Sequence, residues 1–139
     1  MCEEEPGKIL HEMRGGEMAR LGEVPFRRYY GSVDATPLFV MLAGMYLKRT
    51  GDLEFIRTIW PNIGAALAWI DHRVDPEGLL WYAPSRRGGI RNQVWKDSND
   101  SMRFADGSLA DPPLAAVEVQ GYIICARRGM ADVFEALGR

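Results

Sequence analysis

Residues 38–48 read LFVMLAGMYLK, an apolar run that decides the fold of this 139-residue chain. Thr36, just before the run, is suited to capping a helix, and Pro37 to a first helical position. Gly51, just after it, is suited to ending a helix. A helix that is apolar around nearly its whole circumference is normally buried by neighbours on every side. The run therefore predicts an inner helix of a helical protein.

The residues that follow predict a second, outer layer. A short helical stretch begins at Asp52, so that a helical hairpin is expected. After Trp60 and Pro61, a further stretch repeats apolar residues with the 3.6-residue period of an amphipathic helix. Its apolar positions are Ile63, Ala66, Leu67 and Ile70. The stretch ends near residues 75–78, whose sequence DPEG is typical of a turn.

Residues 79–113 form a polar segment rich in Gly, Asp and Ser, which is too long for an ordinary connection in a compact domain. Aromatic residues occur along it, whereas disordered segments are poor in aromatics. The segment therefore predicts an ordered loop that carries function.

Helical patterns resume after this loop. Pro112 and Pro113 are expected to open a helix over about residues 114–127, closed by Gly129, and a last helix is expected to start over residues 132–137. Near the other end of the chain, residues 8–14 and 25–30 predict short extended segments.

The composition excludes several classes of protein. Seventeen basic and nineteen acidic residues give a net charge of −2 without a large basic block, which disfavours a nucleic-acid partner. No apolar run reaches the roughly 18 residues of a membrane-spanning helix, and the acidic start is unlike a signal peptide. Cys2 and Cys125 lie far apart without a metal-binding spacing. We therefore predict a cytoplasmic protein with no membrane contact, no metal and no cofactor.

Residues 92–101 read NQVWKDSNDS and form the densest polar cluster in the chain. Aromatic faces stack on sugar rings, amides and carboxylates bind sugar hydroxyls, and a protonated carboxylic acid delivers a proton to a glycosidic oxygen. Burial against Trp95 would keep Asp97 protonated and an ion pair with Lys96 would keep it ionised, and the sequence leaves both open. The alternative is a solvated loop in which Asp and Ser form turns.

Two further acids stand out. Glu118 lies on the apolar stripe of the helix after Pro113, with Leu114, Tyr122 and Cys125 as neighbours. A carboxylate there is costly unless it pairs with an arginine or faces a wet cleft, and both interpretations stay open. Asp34 immediately precedes the apolar helix, where capping is the structural alternative to a binding role.

Four blocks of sequence together resemble the amylo-alpha-1,6-glucosidase family, the glucosidase domain related to glycogen debranching enzymes. They read EPGKILHEMR at residues 5–14, YYGSVDATPLF at 29–39, NQVWKDSNDS at 92–101 and AVEVQGY at 116–122. The resemblance implies an all-α fold, part of an α/α six-hairpin toroid in which an outer ring of helices surrounds an inner ring. Loops at one end of the barrel then form the substrate cleft. Val94 departs from this pattern, because the family block usually has glycine there.

The resemblance also implies an activity, that of an inverting glycoside hydrolase. Its substrates would be α-glucosidic linkages, including α-1,6 branch points, in glycogen-like polysaccharides or oligosaccharides. Asp97 matches the general acid. A second carboxylate, about 6.5–9.5 Å away, must activate water from the opposite face of the sugar. The predicted substrate-binding residues are Asp34, Gln93, Trp95, Lys96, Asp100 and Glu118.

A six-hairpin barrel needs at least twice the length of this chain. Residues 1–139 are therefore predicted to be part of one toroid catalytic domain, truncated on the C-terminal side and on the N-terminal side. The catalytic base is expected as a glutamate beyond Arg139, so the isolated chain is predicted to be inactive and to require the rest of the toroid. The rival hypothesis is a non-catalytic helical carbohydrate-binding or interaction module derived from the same toroid.

Overall fold

The computed structural model describes residues 3–24, 27–84 and 89–138, and this part of the chain is predominantly helical. The predicted all-α class is confirmed. The predictions that involve Cys2 and residues 25–26 lie outside the described residues. The elements, in chain order, are β1 (Glu12–Met13), α1 (Glu17–Leu21), β2 (Arg28–Tyr29), α2 (Ala35–Thr50), α3 (Leu53–Arg73) and α4 (Val117–Ala136).

The two strands are short and pair with each other. In the antiparallel pair β1–β2, Glu12 lies opposite Tyr29 and Met13 opposite Arg28. Extended structure is therefore found within both predicted segments, although each strand is only two residues long. Helix α1 between the strands was not predicted. Its sequence EMARL consists of residues with high helix propensity, but five residues carry too weak a periodic signal to stand out.

Helix α2 begins at Ala35 and ends at Gly51, whose φ of 69° is the left-handed conformation expected of a glycine that ends a helix. The predicted capping role of Thr36 is wrong. Its buried hydroxyl accepts a hydrogen bond from the backbone N–H of Ile9 at 2.9 Å. Thr36 therefore fixes the N-terminal segment against the start of the helix.

Helix α3 runs through Pro61, so the two helical stretches predicted on either side of this proline are one helix. Asp52 starts it as predicted, because its Oδ1 accepts a hydrogen bond from the backbone N–H of Phe55 at 2.9 Å. A proline removes one hydrogen bond from a helix interior. The stripe of Ile56, Ile63 and Ile70 is fully buried on both sides of Pro61, and this packing keeps the helix continuous.

Helix α4 is also continuous, so the predicted end at Gly129 and the separate last helix are wrong. Gly129 faces Gly44 of α2, and a Cβ built on Gly44 would lie 3.2 Å from the Gly129 backbone. Gly129 therefore lies inside α4 at a close helix contact, in which Gly44 is the residue without room for a Cβ. The helix begins at Val117, later than expected, because Leu114 pairs in extended conformation with Tyr82.

The directions of the helices follow from their contacts. Only two residues connect α2 to α3, so these helices form the predicted antiparallel hairpin. Helix α3 is antiparallel to α4, because Trp60 packs on Phe134 with ring centroids 5.3 Å apart while Asp71 binds Arg127 at 2.7 Å. Helices α2 and α4 therefore run parallel, in contact with each other, with α3 packed on one side of the pair.

The prediction that α2 is buried on every side is wrong for one face. Leu42 and Met45 are exposed on α2, and Val117 and Ile124 are exposed on α4. The contacts among α2, α3 and α4 therefore leave these four apolar side chains in solvent. No helix within residues 3–24, 27–84 and 89–138 is long and apolar enough to cross a lipid bilayer.

Candidate functional site

Three of the sequence blocks meet at one end of the helices, where α2 and α4 begin and α3 ends. The backbone N–H of Val33, just before α2, donates a hydrogen bond to the carbonyl of Gln93 at 2.8 Å. Tyr82 exchanges two backbone hydrogen bonds with Leu114, just before α4, at 2.9 and 3.0 Å. The long loop is therefore anchored to the start of both parallel helices.

Tyr29 and Gly31 fix the entry to this loop. The Tyr29 hydroxyl accepts a hydrogen bond from the backbone N–H of Ile90 at 3.1 Å. To reach it, the phenol ring crosses directly over Gly31, where a Cβ would lie 1.9 Å from the hydroxyl oxygen. Only glycine leaves room for this approach.

Asn92 holds the next part of the loop and is 1% exposed. Its Nδ2 donates hydrogen bonds to the carbonyl of Ser98 at 2.7 Å and to Oγ of Ser101 at 3.2 Å. Its Oδ1 accepts one from the hydroxyl of the buried Tyr82 at 3.4 Å. Oγ of Ser101 also donates to the Lys96 carbonyl at 2.7 Å. These bonds, which we call the Asn92 clamp, close the turn of residues 96–101.

Trp95, Lys96, Asp97 and Asp100 lie on the solvent side of this turn. The Trp95 ring is 63% exposed, and Nζ of Lys96 lies 5.3 Å from its centroid in a cation–π contact. Asp97 is exposed, and within the described ranges it is neither buried against Trp95 nor paired with Lys96. Asp100 is exposed as well and lies 3.7 Å from Arg103. The turn thus presents an aromatic face and two carboxylates to solvent.

Glu118 lies on the protein side, in the first turn of α4. Its Oε1 is buried and has no hydrogen-bond partner in the described part of the chain, where no arginine pairs with it. Burial, and secondarily the charge of Glu118, raises the pKa of the Tyr82 hydroxyl, while the charge of Arg91 acts in the opposite direction. The Glu118 carboxylate is therefore close enough to the Asn92 clamp to act on it electrostatically.

Asp34 and Gln93 are buried and bound by other protein groups. Asp34 does not cap α2; instead, its Oδ1 accepts a hydrogen bond from the Ser32 hydroxyl. The backbone of Asp34 occupies the N-cap position, and Oγ of Ser32 accepts a hydrogen bond from the backbone N–H of Ala35, the first residue of α2, at 3.3 Å. Nε2 of Gln93 donates to Oε2 of Glu3 at 2.6 Å.

The predicted site residues thus form two groups. The exposed group is Trp95, Lys96, Asp97 and Asp100, and the more buried group is Asp34, Gln93 and Glu118. Asn92 and Tyr82 join the two, and neither was among the predicted site residues. A signal for Asn92 was present, because asparagine side chains often bind loop backbone. No hydrogen bond or ion pair found within residues 3–24, 27–84 and 89–138 joins Asp97 to Asp34 or to Glu118.

Comparison of the sequence with models of known protein families and with curated protein sequences finds no match. In the described ranges, no three His, Cys, Asp or Glu side chains are grouped so that they could hold a metal ion. The interpretation of the site therefore depends on its own residues.

Proposed function

We propose that this chain is part of an inverting glycoside hydrolase that acts on α-glucosidic linkages, including α-1,6 branch points, in glycogen-like or oligosaccharide substrates. One observation carries the proposal. An exposed tryptophan and an exposed aspartate stand two residues apart on a turn that the buried Asn92 fixes in place. An indole face binds the apolar face of a sugar, and a neighbouring carboxylic acid is placed to protonate the glycosidic oxygen.

Each site residue has a role in this proposal. Asp97 is the proton donor and Trp95 the stacking surface, while Lys96 and Asp100 bind hydroxyls at the open edge. Glu118 is proposed to bind a sugar hydroxyl, because its carboxylate is half-buried in the first turn of α4 and Oε1 has no hydrogen-bond partner among the described residues. Asp34 and Gln93 are the remaining substrate-binding candidates, and both shape the base of the site.

The helix arrangement supports the toroid. In an α/α toroid, parallel inner helices alternate with antiparallel outer helices, and α2, α3 and α4 follow this inner, outer, inner order. We propose that they form one and a half of six hairpins, in a cytoplasmic protein. The exposed apolar faces of α2 and α4 would then contact further helices of the toroid. The general base would come from that remainder, so the 139-residue chain would bind sugar without hydrolysing it.

A second candidate function is a non-catalytic carbohydrate-binding or interaction module derived from the same toroid. The exposure of Asp97 favours it, because no hydrogen bond from the described residues orients this carboxyl for proton transfer. In this alternative, Trp95 and Glu118 bind sugar and Asp97 has no chemical role.

The substitution Asp97→Asn separates the two functions in a protein that contains this chain together with the remaining hairpins. We expect hydrolysis of an α-1,6-linked glucoside to fall by about 10²–10⁴-fold, the usual contribution of a general acid, with sugar binding largely retained. Asp132→Asn, exposed on α4, is the matched control and should leave turnover unchanged. Turnover that survives Asp97→Asn at the wild-type rate would contradict the role of Asp97.

A further inference from the structure

A second cleft lies beside the C-terminal end of α3, between the N-terminal segment and the start of the long loop. It consists of two adjoining cavities of about 380 Å³ each, and Glu5 and His72 line both. Arg73 and Trp81 line the first cavity. We call the two cavities together the side cleft. Its described lining contains neither Trp95 nor Asp97.

Arg73 is positioned in the side cleft by contacts with Trp69, Trp81 and Glu5. Its guanidinium carbon lies 5.9 Å from the Trp69 ring centroid, and NH2 donates to the Trp81 carbonyl at 3.3 Å. NH1 lies 4.0 Å from Oε2 of Glu5. The Nε atom is buried and has no hydrogen-bond partner among the residues that the structure describes. The terminal nitrogens belong to a side chain that is one-third exposed, so they, rather than the shielded Nε, are the donors that a ligand in the cleft can reach.

Trp81 supplies a fixed aromatic wall. Its ring is 40% exposed, and its Nε1 donates to Oδ2 of Asp75 at 2.8 Å. Oδ1 of Asp75 also accepts from the backbone N–H of Leu79 at 2.9 Å. These bonds, the one from Leu79 most strongly, hold the pKa of Asp75 below its ordinary value. The ring is therefore oriented before any ligand arrives, and a preoriented ring loses little entropy on binding.

Glu5 places an acceptor next to the guanidinium of Arg73. Its Oε2 accepts a hydrogen bond from Nε1 of Trp69 at 2.8 Å, and Oε1 lies 3.5 Å from Nζ of Lys8. The carboxylate lies beside the two cations Arg73 and Lys8, which moderates the net charge of the cleft. Arg73 and Glu5 thus place donors and an acceptor side by side, and a sugar hydroxyl can accept from the one and donate to the other.

We propose that the side cleft is a second carbohydrate-binding site, which holds a segment of an α-glucan chain by stacking on Trp81 and by hydrogen bonds with Arg73 and Glu5. The class of ligand rests on the proposed function. The cleft itself takes no part in hydrolysis. The buried Tyr82 separates the two sites, since it lines the side cleft and its hydroxyl reaches Asn92 on the other side. A long glucan could thus be held at two points.

The experiment is a calorimetric titration of the purified chain with maltoheptaose, using wild type, Trp81→Ala and Trp95→Ala. We expect Trp81→Ala to weaken one binding event by about tenfold, the order expected for loss of an aromatic stacking surface, and to leave the other event unchanged. Trp95→Ala should have the opposite pattern. Circular dichroism and thermal unfolding of each variant check that the helices are intact.

A second substitution covers the case in which Trp81→Ala does not fold. Arg73→Gln removes the guanidinium and should also weaken the same event, whereas Arg127→Gln, a partly exposed arginine at the α3–α4 contact, is the matched control. Wild-type affinity in both Trp81→Ala and Arg73→Gln would overturn the proposal. The proposal would also be overturned if the chain bound inorganic phosphate instead of maltoheptaose, and if Trp81→Ala and Arg73→Gln weakened that binding. Weakening by Trp95→Ala alone contradicts the side cleft, and weakening by Trp81→Ala alone contradicts the proposed function.

Discussion

Asn92 is buried beneath the exposed edge of the candidate site. The side chain lies inside the protein, yet its amide fixes the turn that carries Asp97. Loops place functional groups accurately only when buried hydrogen bonds hold them. Asn92 is therefore a positioning residue, and its effect reaches the solvent through the backbone of residues 96–101.

Loss of the Asn92 clamp should be measurable as stability and as loop motion. Asn92→Ala removes the amide hydrogen bonds to the Ser98 carbonyl and to Oγ of Ser101, and it takes away the acceptor of the buried Tyr82 hydroxyl. We expect it to lower the free energy of unfolding by about 1–3 kcal/mol. Urea denaturation measures this, and hydrogen exchange of residues 96–101 should accelerate. Asn99→Ala, exposed on the same turn, should stay within about 0.5 kcal/mol of wild type. Equal stability of the two variants would show that the clamp does not form.

Tyr82 should make stability depend on alkaline pH. Burial and the Glu118 charge raise the pKa of its hydroxyl in the folded state above the unfolded value. The contribution of the neutral Tyr82 hydroxyl to the free energy of unfolding is then fully present below the unfolded pKa of about 10. It is lost as pH rises through the folded pKa. We expect Tyr82→Phe to flatten the alkaline fall of the unfolding free energy, measured in urea from about pH 8 upward, relative to Tyr122→Phe. The same slope in both variants would contradict this environment for Tyr82.

At the residue scale, the sequence indicated which polar residues cluster along the chain, but it did not indicate their long-range contacts. The cluster at residues 92–101 was found from its composition, and its role as a sugar site stays a prediction. The bond between Gln93 and Glu3 joins residues 90 positions apart, and no local pattern carries it. The Thr36 hydroxyl binds the N–H of Ile9 in the N-terminal segment, and Ser32, instead of Asp34 or Thr36, binds the first N–H of α2. Tertiary packing decides this choice, so the local sequence could not predict it.

At the scale of elements, the contact of Gly44 with Gly129 brings α2 and α4 together. The two glycines differ in how much room they have. A Cβ on Gly44 would lie 3.2 Å from three backbone atoms of Gly129, whereas a Cβ on Gly129 would lie 3.6 Å from the Gly44 Cα, an ordinary contact distance. The first substitution requires α4 to move, and the second does not.

This asymmetry predicts opposite effects for the same substitution. Alanine in place of a helical glycine gains about 1 kcal/mol when it fits. We expect Gly129→Ala to stabilise the protein by up to about that amount, and Gly44→Ala to destabilise it relative to Gly129→Ala. Gly64→Ala, with open space around its Cβ position on α3, is the control for propensity alone. Thermal unfolding of the three variants tests this, and a more stable Gly44→Ala than Gly129→Ala would contradict the helix contact.

The three long helices were predictable from their apolar patterns, but whether each one continues past an internal proline or glycine was not. Gly51 ends α2 and Asp52 starts α3, as predicted. Both lie at the surface, where no tertiary contact from the described residues overrides the local signal. Pro61 and Gly129 are local signals of the same kind, yet buried isoleucines and a facing helix outweigh them. Local propensity therefore decides helix ends at the surface, and packing decides them in the core.

At the scale of the whole molecule, the parallel pair α2–α4 is only partly covered. Helix α3 packs on the pair, and Leu42, Met45, Val117 and Ile124 stay exposed. The sequence predicted that α2 is an inner helix, because its run is apolar all round. Leu42 and Met45 mark the side of α2 that no described neighbour covers. In the toroid that we propose, further helices occupy this side, and the loops at the start of α2 and α4 face the substrate.

The most direct test of the proposed function is a nuclear magnetic resonance titration of the 139-residue chain with an α-1,6-branched maltooligosaccharide. We predict that the Trp95 indole N–H and the Asp97 and Glu118 side-chain signals shift with ligand, while the sugar stays intact. A β-1,4-linked glucan of the same length should cause smaller shifts. Unchanged signals of Trp95, Asp97 and Glu118 at saturating ligand, or hydrolysis of the sugar by this chain alone, would contradict the account.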